Sequence, residues 1–155
     1  MMTNDLIVMQ WKNDCLKVID QRFLPQKEVF KELSSVSDCF EAIKDMTVRG
    51  APLIGFVSIF GMAFSLRELD ENNHFESFKE KGDFLISARP TAVNLSYEVY
   101  QCIKLIEKLE SPFADLDLIY RDLINYGLAQ VNKLKNNKLK MAQLGIDELI
   151  LRNGS

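Results

Sequence analysis

The chain has 155 residues, of which 47% are hydrophobic and 26% are charged, and its formal net charge is −3. This composition supports one folded domain, excludes wholesale disorder and argues against a nucleic-acid-binding protein, which normally carries a basic face. The three cysteines show no CxxC spacing, which indicates a reducing compartment rather than a disulfide framework or a zinc site. We find no signal-peptide pattern and expect a cytoplasmic protein.

The first 33 residues predict a small antiparallel sheet. An apolar run over residues 6–11 is followed by a turn at 12–14 and by period-two alternation over 15–20, a pattern that predicts a β-hairpin. Residues 28–33 are the candidate for a third strand.

From about residue 35 the pattern is helical. Ser35 or Ser37 is the candidate cap of a first helix. A second, almost continuously apolar helix follows Gly50 and has Pro52 at its predicted first position. A membrane span needs about 20 residues, so we expect a buried helix. Its small residues lie one turn apart, which would let another backbone approach closely and predicts a central position; they are Gly55, Ser58, Gly61 and Ser65.

The second half of the chain continues as helices. Residues 71–74 are expected to form a polar loop, and a helix is expected from near Pro90 to about Leu109. Pro112 then interrupts the pattern, an apolar stripe starts at Leu116, and a last segment starts at about Asn137. We therefore predict an α+β fold in a single domain over residues 1–155, with the sheet at about 1–33 and the helical part at about 35–152.

Two short segments share a pattern that suits an anion. Arg49-Gly50-Ala51-Pro52 and Arg89-Pro90 each place an arginine directly before an expected helix start. The first turn of a helix presents unpaired N–H groups and a partial positive charge, and an arginine adds a bidentate fork for phosphate. If the two starts converge, they suit a phosphate ester. The alternative is that each arginine simply pairs with a surface carboxylate.

Other chemistry-bearing residues are weaker candidates. His74, the one histidine, is expected to be solvated in its polar loop, and Cys39 and Cys102 are expected to be core residues. Lysines between 133 and 140 are expected to form a solvated face. We find no metal-ligand spacing and no nucleotide-binding motif, so no metal site and no cofactor is predicted.

The arginine segments resemble a known family. Asp45-Met46-Thr47-Val48-Arg49-Gly50-Ala51-Pro52-Leu53-Ile54-Gly55 resembles the D-M-x-V-R-G-A-P-x-I-G signature of methylthioribose-1-phosphate isomerases. Ala88-Arg89-Pro90-Thr91-Ala92-Val93-Asn94-Leu95 is similar to their second signature, S-R-P-T-A-V-N-L. The resemblance covers residues from about 6 to 150 and identifies the chain as similar to the family's N-terminal domain.

This resemblance implies an aldose–ketose isomerase of methionine salvage, which converts 5-methylthioribose 1-phosphate to 5-methylthioribulose 1-phosphate. Carried over by position, Arg49, Gly50, Ala51 and Arg89 would bind substrate. The family has a Rossmann-like C-terminal domain, is usually dimeric, and is related to regulatory subunits of translation initiation factor 2B.

The family's catalytic cysteine and aspartate are not expected within this chain. None of Cys15, Cys39 and Cys102 stands in the catalytic motif, so we assign no catalytic residue and expect little turnover by this polypeptide alone. The C-terminal catalytic domain is expected to be absent from this chain and to act in cis or as a separate chain. The expected partners are thus a ribose 1-phosphate, that domain and a second copy in a homodimer, with no nucleic acid and no membrane.

Three alternatives stay open. The chain could be a non-catalytic interaction module of the initiation factor 2B-like family, or a part of an isomerase for another ribose phosphate. A folded remnant without a role would expose an apolar face and self-associate.

Overall fold

A computed structural model describes the backbone of residues 9–111 and 113–153 and the side chains of residues 9–111 and 113–137. Within these residues it has a three-stranded antiparallel sheet and five α-helices, which confirms the predicted α+β class. The strands are β1 (Met9–Lys12), β2 (Cys15–Ile19) and β3 (Phe30–Leu33). The helices are α1 (Val36–Lys44), α2 (Ala51–Ser65), α3 (His74–Ile86), α4 (Val93–Glu107) and α5 (Leu116–Asn153).

The hairpin forms as predicted, with its tip set by two residues. Asn13 and Asp14 both have positive φ, at 54° and 58°, which is the backbone of a two-residue type I′ turn. The turn places Lys12 opposite Cys15, and β2 then pairs with β3 through Leu16 and Leu33. The third strand is present but begins at Phe30 rather than at residue 28, while residues 6–8 of the predicted first strand lie outside the described residues.

Helix α2 is the centre of the fold, as its sequence predicts. Every residue from Ile54 to Ser65 is buried. The segment Ala51–Glu68 is apolar enough to cross a membrane by length and composition, yet 72% of it is buried within the protein, which is the pattern of a core helix. The Trp11 ring stacks on Phe60 and Phe64 at centroid distances of 5.4 and 5.9 Å, so the sheet packs directly on this helix.

Helix α3 was not predicted, because its local sequence favours a helix only weakly. It contains Gly82, which lowers intrinsic helix propensity, and its Asn73 cap makes no side-chain hydrogen bond. A Cβ atom on Gly82 would lie 2.8 Å from Val99 Cγ1, so the glycine is needed for the close approach of α3 to α4. His74, expected in a polar loop, is instead the first residue of α3. It is half-buried, and its ring lies 5.3 Å from that of Phe113.

Helix α5 runs antiparallel to α2. Near its start, Tyr120 donates a hydrogen bond to Asp14 at 2.6 Å and accepts one from Arg67, which follows the C-terminal end of α2. Further along, Gly127 packs on Ile59 and Phe60. The segment expected to start separately at about 137 instead continues α5 to Asn153, since the stretch contains no proline. The predicted interruption at Pro112 and the apolar side chains beyond residue 137 lie outside the described residues.

The predicted core cysteines are buried. Burial raises the pKa of the Cys39 and Cys102 thiols well above their ordinary value, so both remain protonated and inert. Cys15 is partly buried and donates to the Leu33 carbonyl at 3.4 Å. All three cysteines are free.

Candidate functional site: two helix starts side by side

The Arg49–Gly50 segment leads into α2 through a backbone that glycine permits. Gly50 is the N-cap with φ 96° and ψ 134°, and the open space around it would admit a Cβ atom without contact. The glycine is therefore required by its backbone conformation. Pro52 lies at the second position of α2 rather than the first, because the helix already begins at Ala51.

Gln21 holds Arg49 from the other side of the loop. Arg49 Nη2 donates to the Gln21 carbonyl at 3.2 Å, and Gln21 Nε2 donates to the Arg49 carbonyl at 3.4 Å. The Arg49 side chain stays exposed, and only one of its five N–H donors is used in this contact. No local pattern indicates this reciprocal pair, because its members are far apart in the chain.

A charged network braces the same loop. The Arg22 guanidinium donates to both carboxylate oxygens of Asp20, at 2.9 and 2.7 Å, and to one carboxylate oxygen of Asp45 at 3.4 Å. Asp45 in turn accepts hydrogen bonds from the Thr47 N–H at 2.9 Å and the Thr47 hydroxyl at 2.6 Å. The loop that carries Arg49 is thus tied to the 3-10 turn Gln21–Phe23, which follows β2.

This network predicts a stability loss in acid. The hydrogen bonds from Arg22 lower the pKa of Asp20. Burial raises the pKa of Asp45, but Thr47, Arg22 and Lys31 outweigh it and leave that pKa below its ordinary value. A carboxylate whose folded pKa lies below its unfolded value of about 3.9 stabilises the fold above that pH, and the contribution is lost as the pH falls through the folded pKa.

We therefore expect the melting temperature of the parent to fall between about pH 5 and pH 2 more steeply than that of Asp20→Asn, while the variant is the less stable of the two at pH 7. Calorimetry across this range measures both. Asp122→Asn, at an exposed position of α5, is the control and should follow the parent. Parallel profiles for the parent and Asp20→Asn would contradict the role given to this network.

The second arginine does not stand at a helix start. Arg89 and Pro90 lie in the connection between α3 and α4, and α4 begins only at Val93. The Ala92 N–H donates to the Arg89 carbonyl at 3.0 Å, which places Pro90 at the second position of a β-turn. The fixed φ of proline suits this position and a helix start equally well, so the sequence could not separate the two.

Helices α2 and α4 nevertheless begin side by side. A Cβ on Gly55, one turn into α2, would lie 3.3 Å from the carbonyl oxygen of Asn94, in the first turn of α4. Further along, Met62 of α2 and Val99 of α4 meet at Gly82. The two helices therefore run parallel, with their N-terminal ends at the same side of the protein.

These two helix starts share an electrostatic property. Neither α2 nor α4 has an acidic residue in its first turn or a side-chain cap. The other three helices each carry an acid there, namely Asp38, Glu76 and Asp117. The positive ends of α2 and α4 are therefore not offset by an acid in their own first turns, and an anion placed there would gain from both.

No metal-binding group of three or more His, Cys, Asp or Glu side chains occurs among the residues whose side chains the structure describes. The fold and the helix starts therefore define an α+β domain with a candidate anion site and no evident metal centre in that part of the chain.

Comparison with known proteins identifies the relatives of this domain. No protein-family model matches the chain. It is 40% identical to a methylthioribose-1-phosphate isomerase of Pseudothermotoga lettingae over 111 residues, which are 71% of this chain and 32% of the relative.

Two solved structures share the fold. The 5-methylthioribose 1-phosphate isomerase of Pyrococcus horikoshii matches with a TM-score of 0.70 and 32% identity over 81% of this chain and 36% of its own. The delta subunit of translation initiation factor eIF-2B from A. fulgidus matches with a TM-score of 0.65 and 32% identity, over 85% of this chain and 37% of its own.

The chain thus spans about a third of the length of these relatives. It is a homologue of the N-terminal domain of the methylthioribose-1-phosphate isomerase family, which confirms the resemblance predicted from the two arginine motifs.

Proposed function

We propose that this chain forms the phosphate-binding part of an aldose–ketose isomerase that converts 5-methylthioribose 1-phosphate to 5-methylthioribulose 1-phosphate in methionine salvage. The observation that carries the proposal is the pair of adjacent, parallel helix starts of α2 and α4, which lack first-turn acids and follow Arg49 and Arg89. A dianionic phosphate would receive backbone N–H groups and two guanidinium groups at this place.

Within this proposal, four residues bind substrate. Gly50 and Ala51 present backbone at the start of α2, Arg49 supplies an exposed guanidinium held by Gln21, and Arg89 lies half-buried in the turn before α4. No residue of this chain is assigned a catalytic role. Binding alone does not lower the barrier, because acceleration requires groups that favour the transition state.

We propose that the catalytic groups lie outside the region that this chain shares with its relatives. They would be supplied by a C-terminal domain, in cis or as a separate chain, and the assembled enzyme is proposed to be a cytoplasmic homodimer. One relative is a 5-methylthioribose 1-phosphate isomerase, which supports this choice of substrate. Another ribose 1-phosphate with a different 5-substituent is the alternative substrate.

The test is to recover the tagged chain gently from its native cell and to assay the eluate for isomerisation of 5-methylthioribose 1-phosphate. We expect activity that depends on co-purified catalytic sequence. An eluate prepared in the same way from the Arg49→Ala variant should lack this isomerase activity. A folded chain recovered in quantity, with neither activity nor ribose-phosphate binding, would refute the isomerase proposal.

A second candidate function is an interaction module, and one surface favours it. Helix α4 exposes large apolar side chains at helical spacing: Val93 is 76% exposed, Tyr97 56% and Tyr100 51%. Such a contiguous face is typical of a protein contact. Under this alternative, Tyr97→Ser would abolish association of the chain, measured by sedimentation velocity, while Arg49→Ala would leave it intact. The opposite pattern contradicts it.

A further inference from the structure

Glu98 is a buried carboxylate beside the helix starts that no motif singled out. It is 9% exposed and lies on α4, one turn after Asn94. A Cβ atom on Gly55 would lie 3.2 Å from Glu98 Cγ, which places this side chain in the seam between α2 and α4. Since one helical turn rises about 5.4 Å, the seam lies about one turn inside the proposed phosphate site.

One oxygen of this carboxylate is held in place. The Tyr126 hydroxyl on α5 donates to Glu98 Oε2 at 2.7 Å. Burial and the neighbouring carboxylate raise the pKa of Tyr126 well above its ordinary value, so the phenol remains a donor. Tyr126 therefore fixes the direction in which the carboxylate points.

The other oxygen has no partner among the described residues. Among the described residues, Glu98 makes no other hydrogen bond and no ion pair, and none of these residues has a buried side-chain oxygen without a partner. Oε1 therefore keeps some contact with solvent. A largely buried carboxylate without a cationic partner is costly, which makes this arrangement unexpected for packing alone.

We propose that Glu98 is a specificity-determining residue that accepts hydrogen bonds from the sugar hydroxyls of the ribose phosphate; this rests on the function proposed above. A carboxylate only accepts hydrogen bonds and repels phosphate, so it selects the hydroxyl face of the ligand. The phosphate would occupy the helix starts and the pentose hydroxyls would reach Glu98. Carboxylates recognise ribose hydroxyls in the same way where a phosphate lies on a helix start.

The test titrates the 155-residue chain with ribose 1-phosphate and, separately, with inorganic phosphate, by calorimetry. Glu98→Gln keeps the shape of the side chain and can still accept from Tyr126. We expect ribose 1-phosphate to bind about tenfold more weakly to this variant, because a charge-assisted acceptor is lost. We expect inorganic phosphate to bind equally or more tightly, because a nearby negative charge is removed.

The opposite responses separate recognition from a structural role. Tyr126→Phe should give an intermediate loss for ribose 1-phosphate, and Glu98→Asp should recover part of the affinity. If Glu98→Gln weakened the binding of both ligands equally, or changed neither affinity, the role of Glu98 would be overturned. If the folded parent binds neither ligand, the proposed function and this inference both fail; if Arg49→Ala abolishes binding while Glu98→Gln matches the parent, this inference alone fails.

Discussion

Arg49→Ala and Arg89→Ala are each expected to weaken the binding of ribose 1-phosphate by about 10- to 100-fold. A hydrogen bond to a charged group contributes about 1.5–3 kcal/mol, and each 1.4 kcal/mol corresponds to a factor of ten. The first turns of α2 and α4 contain no acid that would repel the ligand, so the arginines act together with the helix dipoles. Calorimetric titration at low salt measures the effect, and added salt should reduce the parent's affinity.

The matched control for these variants is Arg121→Ala. Arg121 is an exposed arginine on α5, next to Tyr120, which lies at the opposite end of α2 from the helix starts. Its removal changes net charge equally but should leave affinity unchanged. Equal losses in all three variants would indicate a diffuse charge effect, and unchanged affinity in Arg49→Ala and Arg89→Ala would rule out the anion site.

Gly55→Val is expected to lower stability and ribose-phosphate binding together. Its Cβ would meet Glu98 Cγ at 3.2 Å and the Asn94 carbonyl oxygen at 3.3 Å. A backbone oxygen cannot rotate away, so α2 and α4 must separate at their N-terminal ends. Overpacking of this kind costs about 1–3 kcal/mol, and the separation also spreads the two groups of N–H donors.

Thermal unfolding and the same titration measure the two consequences of Gly55→Val. Ala129→Val, at an exposed position of α5, introduces the same side chain into a helix without a facing backbone and should cost only a few tenths of a kcal/mol. A Gly55→Val variant with the parent's melting temperature and affinity would show that the helix starts do not depend on this contact.

The role of Glu98 connects these two predictions. Gly55 sets the width of the seam, Glu98 lies within it, and Tyr126 joins it to α5. Displacing α4 would therefore also move the carboxylate. We expect Gly55→Val to weaken the binding of inorganic phosphate as well as that of ribose 1-phosphate. Glu98→Gln should weaken only the binding of the sugar phosphate.

Local sequence determined much of this protein. Asn13-Asp14 specifies the hairpin turn, Ser35 accepts from the Asp38 N–H at 3.0 Å as a helix cap, and the apolar run after Gly50 specifies a buried helix. Each of these depends on residues close together in the chain. The two arginine motifs likewise identified the family, because signatures of this length occur in order and at the right spacing.

Only the tertiary structure decided the remaining features. The sequence of α3 has an interior glycine and a weak cap, and its helix is stabilised by packing on α4 at Gly82. Pro90 was compatible with a helix start and with a turn, and the path from α3 to α4 selected the turn. The adjacency of Gly55 with Asn94 and the bond between Glu98 and Tyr126 join residues distant in the chain, and their free energy comes from packing that no local pattern encodes.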